Sequence, residues 1–372
     1  METLFAILVF VVIYAYIGYP LLLYLASRLS AGKSRRAPGY EEEDLPFVSL
    51  LIAARNEEKI IARKIENALE LNYPHSRLEI VVVSDGSTDG TDEIVRGYAS
   101  RGVSLLRVEG NGGKTIARNI AVERCRGKII VFSDSNAMYD RDAVRKLVLH
   151  FSDPLVGVVC GALRLVGEDG GENHYWRYEK WIKTLEDRTH SIIGANGSIY
   201  AIRRELYRPL GAGIDDDFIE PVLCYMDGYE LRYEPEALSV ERDIPGSRLM
   251  DEFGAKKRVV MRGLQSLASI SAILNPFRFP ALAFELFSHK ILKWMVPFIL
   301  IAIFVDNLFL TGSRFFELTL AMQILFYSAA AAGIIFRTRS LHVPAFFVLT
   351  NLSVFAAVLS WFAGNRNVSW GK

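Results

Sequence analysis

Three apolar stretches rich in Val, Ile and Leu each break into acids, amides or glycine at their carboxyl ends. Val48–Ala54 runs into Arg55-Asn56-Glu57-Glu58, Glu79–Val83 into Ser84-Asp85-Gly86-Ser87, and Lys128–Phe132 into Ser133-Asp134-Ser135-Asn136. Continuous apolar runs of this length read as strands of a mainly parallel sheet, buried on both faces. Helix-period patterns at Glu58–Leu71, Asp89–Ser100, Thr115–Arg126 and Asp140–Phe151 alternate with them. Later strands fit Val156–Leu165, Ser198–Ile202 and Glu230–Tyr233, and later helices fit Tyr175–Thr189, Asp217–Met226 and Ser247–Leu267. The pattern predicts one α/β domain with a mixed sheet between Asp44 and about Ile273. In open α/β sheets ligands bind at the carboxyl ends of the strands. Three such ends carrying carboxylates point to one site for a metal and a phosphorylated ligand.

The pattern changes at both ends of the chain. Thr3 to Ser27 carries no charged side chain and is long enough, at ~1.5 Å per residue, to cross a ~30 Å hydrocarbon core. It is too long for the apolar part of a signal peptide and lacks a basic segment before it. Three further spans are predicted at about Ile291 to Leu310, Leu318 to Phe336 and Val343 to Ala363, the last interrupted by Asn351, Ser353 and Ser360. Those polar groups face either a cavity or a neighbouring helix. Asn275 to Phe287, with Pro276 and Pro280, reads as an interfacial or broken segment. Arg28, Lys33, Arg35 and Arg36 follow the first span, Lys290 and Lys293 open the second, and Arg337 and Arg339 fill the last turn. By the positive-inside rule the central domain is cytosolic. The expected organisation is a membrane helix at 1–28, a cytosolic domain at 44–273, and an interfacial segment with three membrane segments at 274–365, in the inner membrane of a cell.

Composition agrees. Of the 372 residues, 51% are hydrophobic, and a formal net charge of +1 gives no reason to expect nucleic acid as a partner. Cys125, Cys160 and Cys224 are isolated, with no metal-type spacing, and read as reduced, buried small residues.

The polar segments form an ordered set of motifs: Ala53-Ala54-Arg55-Asn56-Glu57-Glu58, Ser84-Asp85-Gly86-Ser87-Thr88-Asp89-Gly90-Thr91, Gly113-Lys114, Phe132-Ser133-Asp134-Ser135-Asn136, Gly194-Ala195-Asn196-Gly197-Ser198, Asp215-Asp216-Asp217-Phe218 and Tyr233-Glu234-Pro235-Glu236-Ala237. In this order, between membrane helices, the chain resembles the membrane-anchored processive branch of the family-two glycosyltransferases, which includes cellulose, chitin, hyaluronan and poly-N-acetylglucosamine synthases. The resemblance implies a GT-A-like fold inserted between transmembrane helices, a nucleotide-sugar donor and inversion at the anomeric carbon.

It also implies roles. Donor binding falls to Ala54, Asn56, Glu57, Asp85, Lys114, Asp134, Arg258 and Arg262. Asp134 and Asn136 occupy the family's DxD position and are the expected ligands of Mg²⁺ or Mn²⁺; alternation along an extended segment turns both to one side. The amide of Asn136 departs from the motif, since it ligates through oxygen but brings no charge. Asp217 is the expected general base, taking a proton from an acceptor hydroxyl, with Asp216 beside it. Simpler readings stand alongside: Asp89, Ser87 or Asp215 as helix caps, and Lys114 as a solvated helix-start lysine. The family's Q-x-x-R-W signature is replaced by Lys256-Lys257-Arg258-Val259-Val260-Met261-Arg262-Gly263, without the tryptophan. Arg258 and Arg262 share a helical face that fits a diphosphate or anionic lipid. Tyr175, Trp176, Tyr178 and Trp181 form an aromatic helix suited to packing or to stacking on a sugar.

The leading expectation is transfer from a UDP-sugar to a growing polysaccharide. Single transfer to a lipid-linked acceptor such as polyprenyl phosphate is favoured by the missing tryptophan, whereas the three C-terminal spans favour a translocating synthase. A degenerate, inactive scaffold of an export complex is the non-enzymatic alternative, opposed by the presence of Asp85, Asp134 and Asp217 together.

Overall fold

In the computed structural model, residues 1–29, 39–110, 112–166, 171–242, 249–336 and 338–365 are described. Lys33, Arg35, Arg36, Asn111, Arg337 and Trp370 lie outside them, as do the side chains of Tyr175 and Arg339. The chain divides into two compact units. One is made mainly of residues 30–166 and 186–243, and the other of 1–29, 167–185 and 244–366.

The first unit is organised around β1 (Val48–Ala54), every residue of which is buried. It lies between two parallel neighbours, β2 (Leu78–Asp85) and β4 (Ile129–Asp134). The eight strands are completed by β3 (Val103–Val108), β5 (Met138–Tyr139), β6 (Val156–Val166), β7 (Ile199–Arg203) and β8 (Glu230–Arg242), in the order β3-β2-β1-β4-β7-β6-β8-β5. Parallel and antiparallel pairs are both present, so the sheet is mixed, as the sequence pattern predicts. Apolar clusters cover both faces: one holds Leu50, Ile52, Ile65, Val82 and Leu147, the other Leu51, Val83, Ala117, Phe132 and Tyr200. Alternate residues of one strand thus enter opposite clusters. Cys125, Cys160 and Cys224 are buried and form no disulfide among the described residues.

Register decides where the polar ends meet. Ala54 pairs with Ser84, Ala53 with Asp134, Asp85 with Val108, and Ser133 with Ile199. One edge of the sheet therefore carries the ends of β1, β2 and β4 and the start of β7. The turn after β2 needs glycine, because at Gly86 (φ +61°) a Cβ would lie 2.0 Å from the Gly110 carbonyl oxygen.

Among the described residues, the second unit contains four helices long and apolar enough to cross a membrane: Glu2–Leu29, Pro280–Leu308, Arg314–Phe336 and His342–Phe362. The second begins seven residues, about two turns, before Phe287, so the segment expected to be interfacial or broken is in part the start of this span. Pro280 sits at a helix N-terminus, where its missing N–H costs nothing. Both of the first two helices contain a π-helical turn, Tyr14–Gly18 and Phe287–Ile291, and the Tyr14 hydroxyl meets Ser288 Oγ at 2.9 Å between them. Asn351 and Ser353 bond backbone carbonyls four residues earlier, Phe347 at 2.9 Å and Leu349 at 2.8 Å. Asn351 also lines an apolar cavity of about 260 Å³ with Pro297, Phe304 and Phe355. Tyr178 packs in this unit, donating its hydroxyl to the Tyr16 carbonyl at 2.8 Å. Sequence reasoning missed a buried ion cluster here: Glu179 binds His289 at 3.0 Å and Lys293 at 2.9 Å.

Candidate active site

The loops after β1 and β2 are stitched together by their own polar groups. Asn56 adopts a left-handed conformation (φ +54°), one that asparagine tolerates better than most residues. Its Oδ1 accepts from the Thr88 N–H at 2.8 Å, and its own N–H donates to Ser87 Oγ at 3.1 Å. The Glu57 N–H donates to Thr91 Oγ1 at 2.8 Å. The Glu57 carboxyl is held above its ordinary pKa by burial and by the neighbouring charges of Asp134 and Asp89, although a bond from Ser135 opposes this. Asp85 is buried and accepts the N–H groups of Gly112 (3.2 Å) and Gly113 (3.0 Å). It thereby shapes the glycine turn that starts the helix Lys114–Arg124.

That helix sends two cations to the end of β4. Lys114 Nζ lies 2.6 Å from Asp134 Oδ1. Arg118, four residues on and fully buried, lies 3.2 Å from the same oxygen. The Arg118 guanidinium also binds Asp216, donates to the Gly197 carbonyl at 3.1 Å, and rests over the Phe132 ring at 4.9 Å. One buried cation thus joins the metal motif, the Gly194–Gly197 turn and the acidic motif. Phe132 and Tyr200, stacked with centroids 4.7 Å apart, form its apolar bed. Sequence reasoning overlooked Arg118. The available signal was an arginine between Ala117 and Ala121, both buried, one turn after Lys114.

Asp216 and Asp217 open the helix Asp216–Met226, and Asp215 holds the N-cap position without a side-chain capping bond. Burial raises the Asp216 pKa, but Arg118 and Lys114 more than offset this and hold it below the usual carboxylate range. The Asp217 carbonyl accepts the Ala195 N–H at 2.7 Å. A Cβ on Gly197 would stand 2.8 Å from Asp217 Oδ2 and 3.5 Å from Lys114 Nζ. The turn before β7 therefore passes directly against the Asp217 carboxylate and leaves it half-exposed. The carboxylates of Asp215, Asp216 and Asp217 come within 4.8 Å of one another. Because the charge of Asp216 is committed to Arg118, we read the trio as one paired carboxylate with two companions rather than as a metal centre.

Asp134 is the better candidate for holding a metal. Its side chain is 30% exposed, and Lys114 and Arg118 both approach the same oxygen, Oδ1. Asn136 gives its amide nitrogen to Glu241 Oε2 at 3.1 Å, which leaves the amide oxygen for another partner. Carboxylate and amide oxygens are the hard donors that Mg²⁺ and Mn²⁺ accept, so the residues fit the ion. Beneath the loop, the fully buried Lys64 donates to the Ala137 carbonyl and lies 4.0 Å from the Tyr139 ring centroid. Burial pushes its ammonium down to about 7.

Glu241 was also missed. Burial, then the charge of Asp134, pushes its carboxyl up to about 7. Between its ordinary value of 4.5 and about 7, the unfolded chain has released this proton while the folded one keeps it. Stability should therefore fall as pH rises through that window. Melting curves of the metal-free protein at pH 5 and pH 7.5 should show the loss, and Glu241→Gln should reduce the difference. An equal pH dependence in both proteins would mean that Glu241 is not the group involved.

Arg118→Leu should be severe. Removing one member of a buried ion pair typically costs about 3–5 kcal/mol, and here buried Asp216 loses its partner while Asp134 keeps only Lys114. Thermal denaturation should show a large drop, with Arg118→Lys falling between. A variant as stable as the parent would contradict this account of the centre.

Arg258 and Arg262 lie on the helix Leu249–Ser269, within the unit of membrane helices. Arg258 is exposed. Arg262 is half-buried, and its Nε has no hydrogen-bond partner among the described residues. On the same helix, Lys256 Nζ sits 4.1 Å from the Phe346 ring centroid. The structure thus brings Ala54, Asn56, Glu57, Asp85, Lys114, Asp134, Asn136, Asp216 and Asp217 to one region of the sheet unit, and describes the two arginines with the other unit.

Comparison with known proteins agrees with this geometry. Residues 49–211 match the family model "Glycosyl transferase family 2". A probable glycosyltransferase of Bacillus subtilis, YdaM, is 30% identical over 241 residues, covering 56% of this chain and 54% of that protein. A poly-beta-1,6-N-acetyl-D-glucosamine synthase of Staphylococcus epidermidis is 25% identical over 53% of this chain and 50% of its own length. A beta-monoglucosyldiacylglycerol synthase of a Nostoc species is 35% identical over 32% of this chain and 27% of that protein. The matches thus span about half the length of these relatives, or less. A solved structure of a mannosyltransferase from Pyrobaculum calidifontis, in complex with GDP-Man and Mn²⁺, superposes with a TM-score of 0.74 at 25% identity. That likeness covers 96% of this chain and 98% of the other. The sheet edge, its acidic motifs and these likenesses converge: this chain carries a glycosyl transferase family 2 domain with a GT-A-like fold, flanked in sequence by candidate membrane helices.

Proposed function

We propose that the chain is an inverting glycosyltransferase that moves a hexosyl unit from a nucleotide-sugar to a membrane-associated acceptor. The observation carrying this reading is the single connected centre in which Lys114 and Arg118 hold Asp134 while Arg118 holds Asp216. Asp216 is neutralised by that pairing, which leaves Asp217 as the carboxylate able to accept a proton. Asp217 takes the proton from the acceptor hydroxyl as its oxygen attacks the anomeric carbon. The bond to the diphosphate breaks on the opposite face, which inverts the configuration. Lys114 supplies positive charge for the departing diphosphate, and Asp134 and Asn136 would hold a divalent ion that, when bound, would add to it. Ala54, Asn56, Glu57 and Asp85 frame the nucleoside.

The acceptor is a polysaccharide or a lipid. The missing tryptophan of the Q-x-x-R-W signature favours single transfer to a lipid-linked acceptor, and likeness along nearly the whole chain to a mannosyltransferase in complex with GDP-Man admits a guanine as well as a uracil nucleotide. Purified protein in nanodiscs, offered UDP- and GDP-sugars with Mn²⁺ or Mg²⁺, tests the reading. Turnover of one nucleotide-sugar to polymer or glycolipid supports it, whereas absence of turnover across the panel favours the inactive scaffold.

We put the sheet domain in the cytosol, because Arg28 closes the first span and Arg278 stands just before the next, which begins at Pro280. Cysteine labelling just after residue 40 and at position 340 should report the cytoplasm at both points. A periplasmic signal at either would reverse the topology.

A further inference from the structure

A second concave site opens beside the metal motif. This cavity of about 330 Å³ is lined by Asn136, Met138, Tyr139 and Asp140, with Arg63 and Arg164 in its wall. Arg63 comes from the first turn of the helix Ile61–Leu69, and Arg164 from β6, where it pairs with Val240 of β8. All of these residues belong to the sheet unit.

The two arginines are unlike most others in this unit. Arg101 and Arg107 pair with acids, Arg118 joins two carboxylates, and Arg203 binds three carbonyls. Among the described residues, Arg63 and Arg164 make no hydrogen bond or ion pair. A lone exposed arginine is ordinary, but two uncommitted guanidinium groups sharing one cavity are a matched pair of donor forks. Asp140 offsets one of the two charges, so the cavity keeps a net positive charge. Its floor is fixed, because Lys64 holds the Ala137 carbonyl and the Tyr139 ring from below.

We propose that this cavity binds a phosphate group on the acceptor. The proposal rests on the transferase reading above and narrows its acceptor to a phosphorylated glycan, either free or lipid-linked. A phosphate offers three strong acceptor oxygens and about two negative charges, which suits paired guanidinium forks better than a single carboxylate does. The volume exceeds that of a phosphate alone and leaves room for the sugar or alkyl carbon attached to it. Asn136 is shared between the cavity and the metal motif, so a bound phosphate would hold its acceptor close to Asp134. The phosphate serves for recognition, and the hydroxyl that loses its proton to Asp217 belongs to the attached sugar.

The test uses full-length protein in nanodiscs, with Arg63→Gln and Arg164→Gln singly and together. Two probes separate the sources: mannose 6-phosphate in solution, and undecaprenyl phosphate doped into the nanodisc, each followed by ³¹P NMR. Binding of GDP or UDP with Mn²⁺ is measured in parallel. The parent should bind at least one probe, each single variant should bind it at least tenfold more weakly, and nucleotide binding should stay within twofold. Mannose should not compete. Equal binding by parent and double variant would overturn the proposal, as would a parent that binds nucleotide and neither phosphate. A parent that binds phosphate through these arginines but no nucleotide would instead overturn the transferase reading and leave the anion site standing.

Discussion

Asp217→Asn is expected to lower transfer by about 10²- to 10⁴-fold, the usual contribution of a positioned general base. The substitution keeps the shape of the side chain and removes its proton-accepting charge. The nucleotide-sugar should bind almost unchanged, because the role of Asp217 lies in bond formation. Its neighbours sharpen the expectation. Asp216 is engaged by Arg118, and Asp215 stands at the N-cap without a side-chain capping bond, so Asp215→Asn should cost far less. Single-turnover rates and donor titrations on the three Asn variants are the measurement. An active Asp217→Asn protein beside a dead Asp215→Asn protein would show that the register of the acidic motif has been misread.

Asp134→Ala should abolish turnover while the protein remains folded and membrane-bound. Asp134 offers a carboxylate at the strand end, and Lys114 and Arg118 crowd only one of its oxygens. With alanine there, Lys114 loses the carboxylate it pairs with, Arg118 keeps only Asp216, and the ion loses its anionic ligand. Chelation of the parent should give the same loss, reversed by adding Mn²⁺ or Mg²⁺. Full activity after complete chelation would remove the metal from the scheme. Asn136→Asp should lower the metal concentration needed for half-maximal rate, since it adds a charge at the second ligand position. An unchanged metal requirement would mean that position 136 does not face the ion.

The central strands were legible because burial on both faces leaves a continuous apolar run, and Val48–Ala54 emerges with the predicted bounds. β3 was not read. It lies at the sheet edge, and its Ser104 and Arg107 are exposed, so its sequence lacks the strong run of the interior strands. Helix ends were predicted too long at Asp89–Ser100, where the regular helix is only Thr91–Arg96, because flanking turns share its polar composition. Motif acids were legible from their position at strand and helix ends. Arg118, Lys64 and Glu241 were not, since each matters through partners 16 to 177 residues away that no local pattern reveals. Asp85 and Asn56 show the converse. Both were read as donor ligands, and both are already hydrogen-bonded to the loops they shape, so any contact with a nucleotide would be added to a structural duty.

The Glu179 cluster bears on how the chain is made. Its lysine partner lies 114 residues later and its histidine 110, so Glu179 leaves the ribosome well before either. During that interval its carboxylate has no counter-charge and stays hydrated, because burying it alone would cost several kcal/mol. The helix that carries it therefore waits, undocked, until the span beginning at Pro280 has been synthesised and inserted. Ordering of residues 178–185 against that span becomes a late step in biogenesis, timed by membrane insertion rather than by folding of the sheet. A nascent chain arrested before Lys293 would leave this helix exposed to proteases, while the strands from Val48 to Arg242 are already complete.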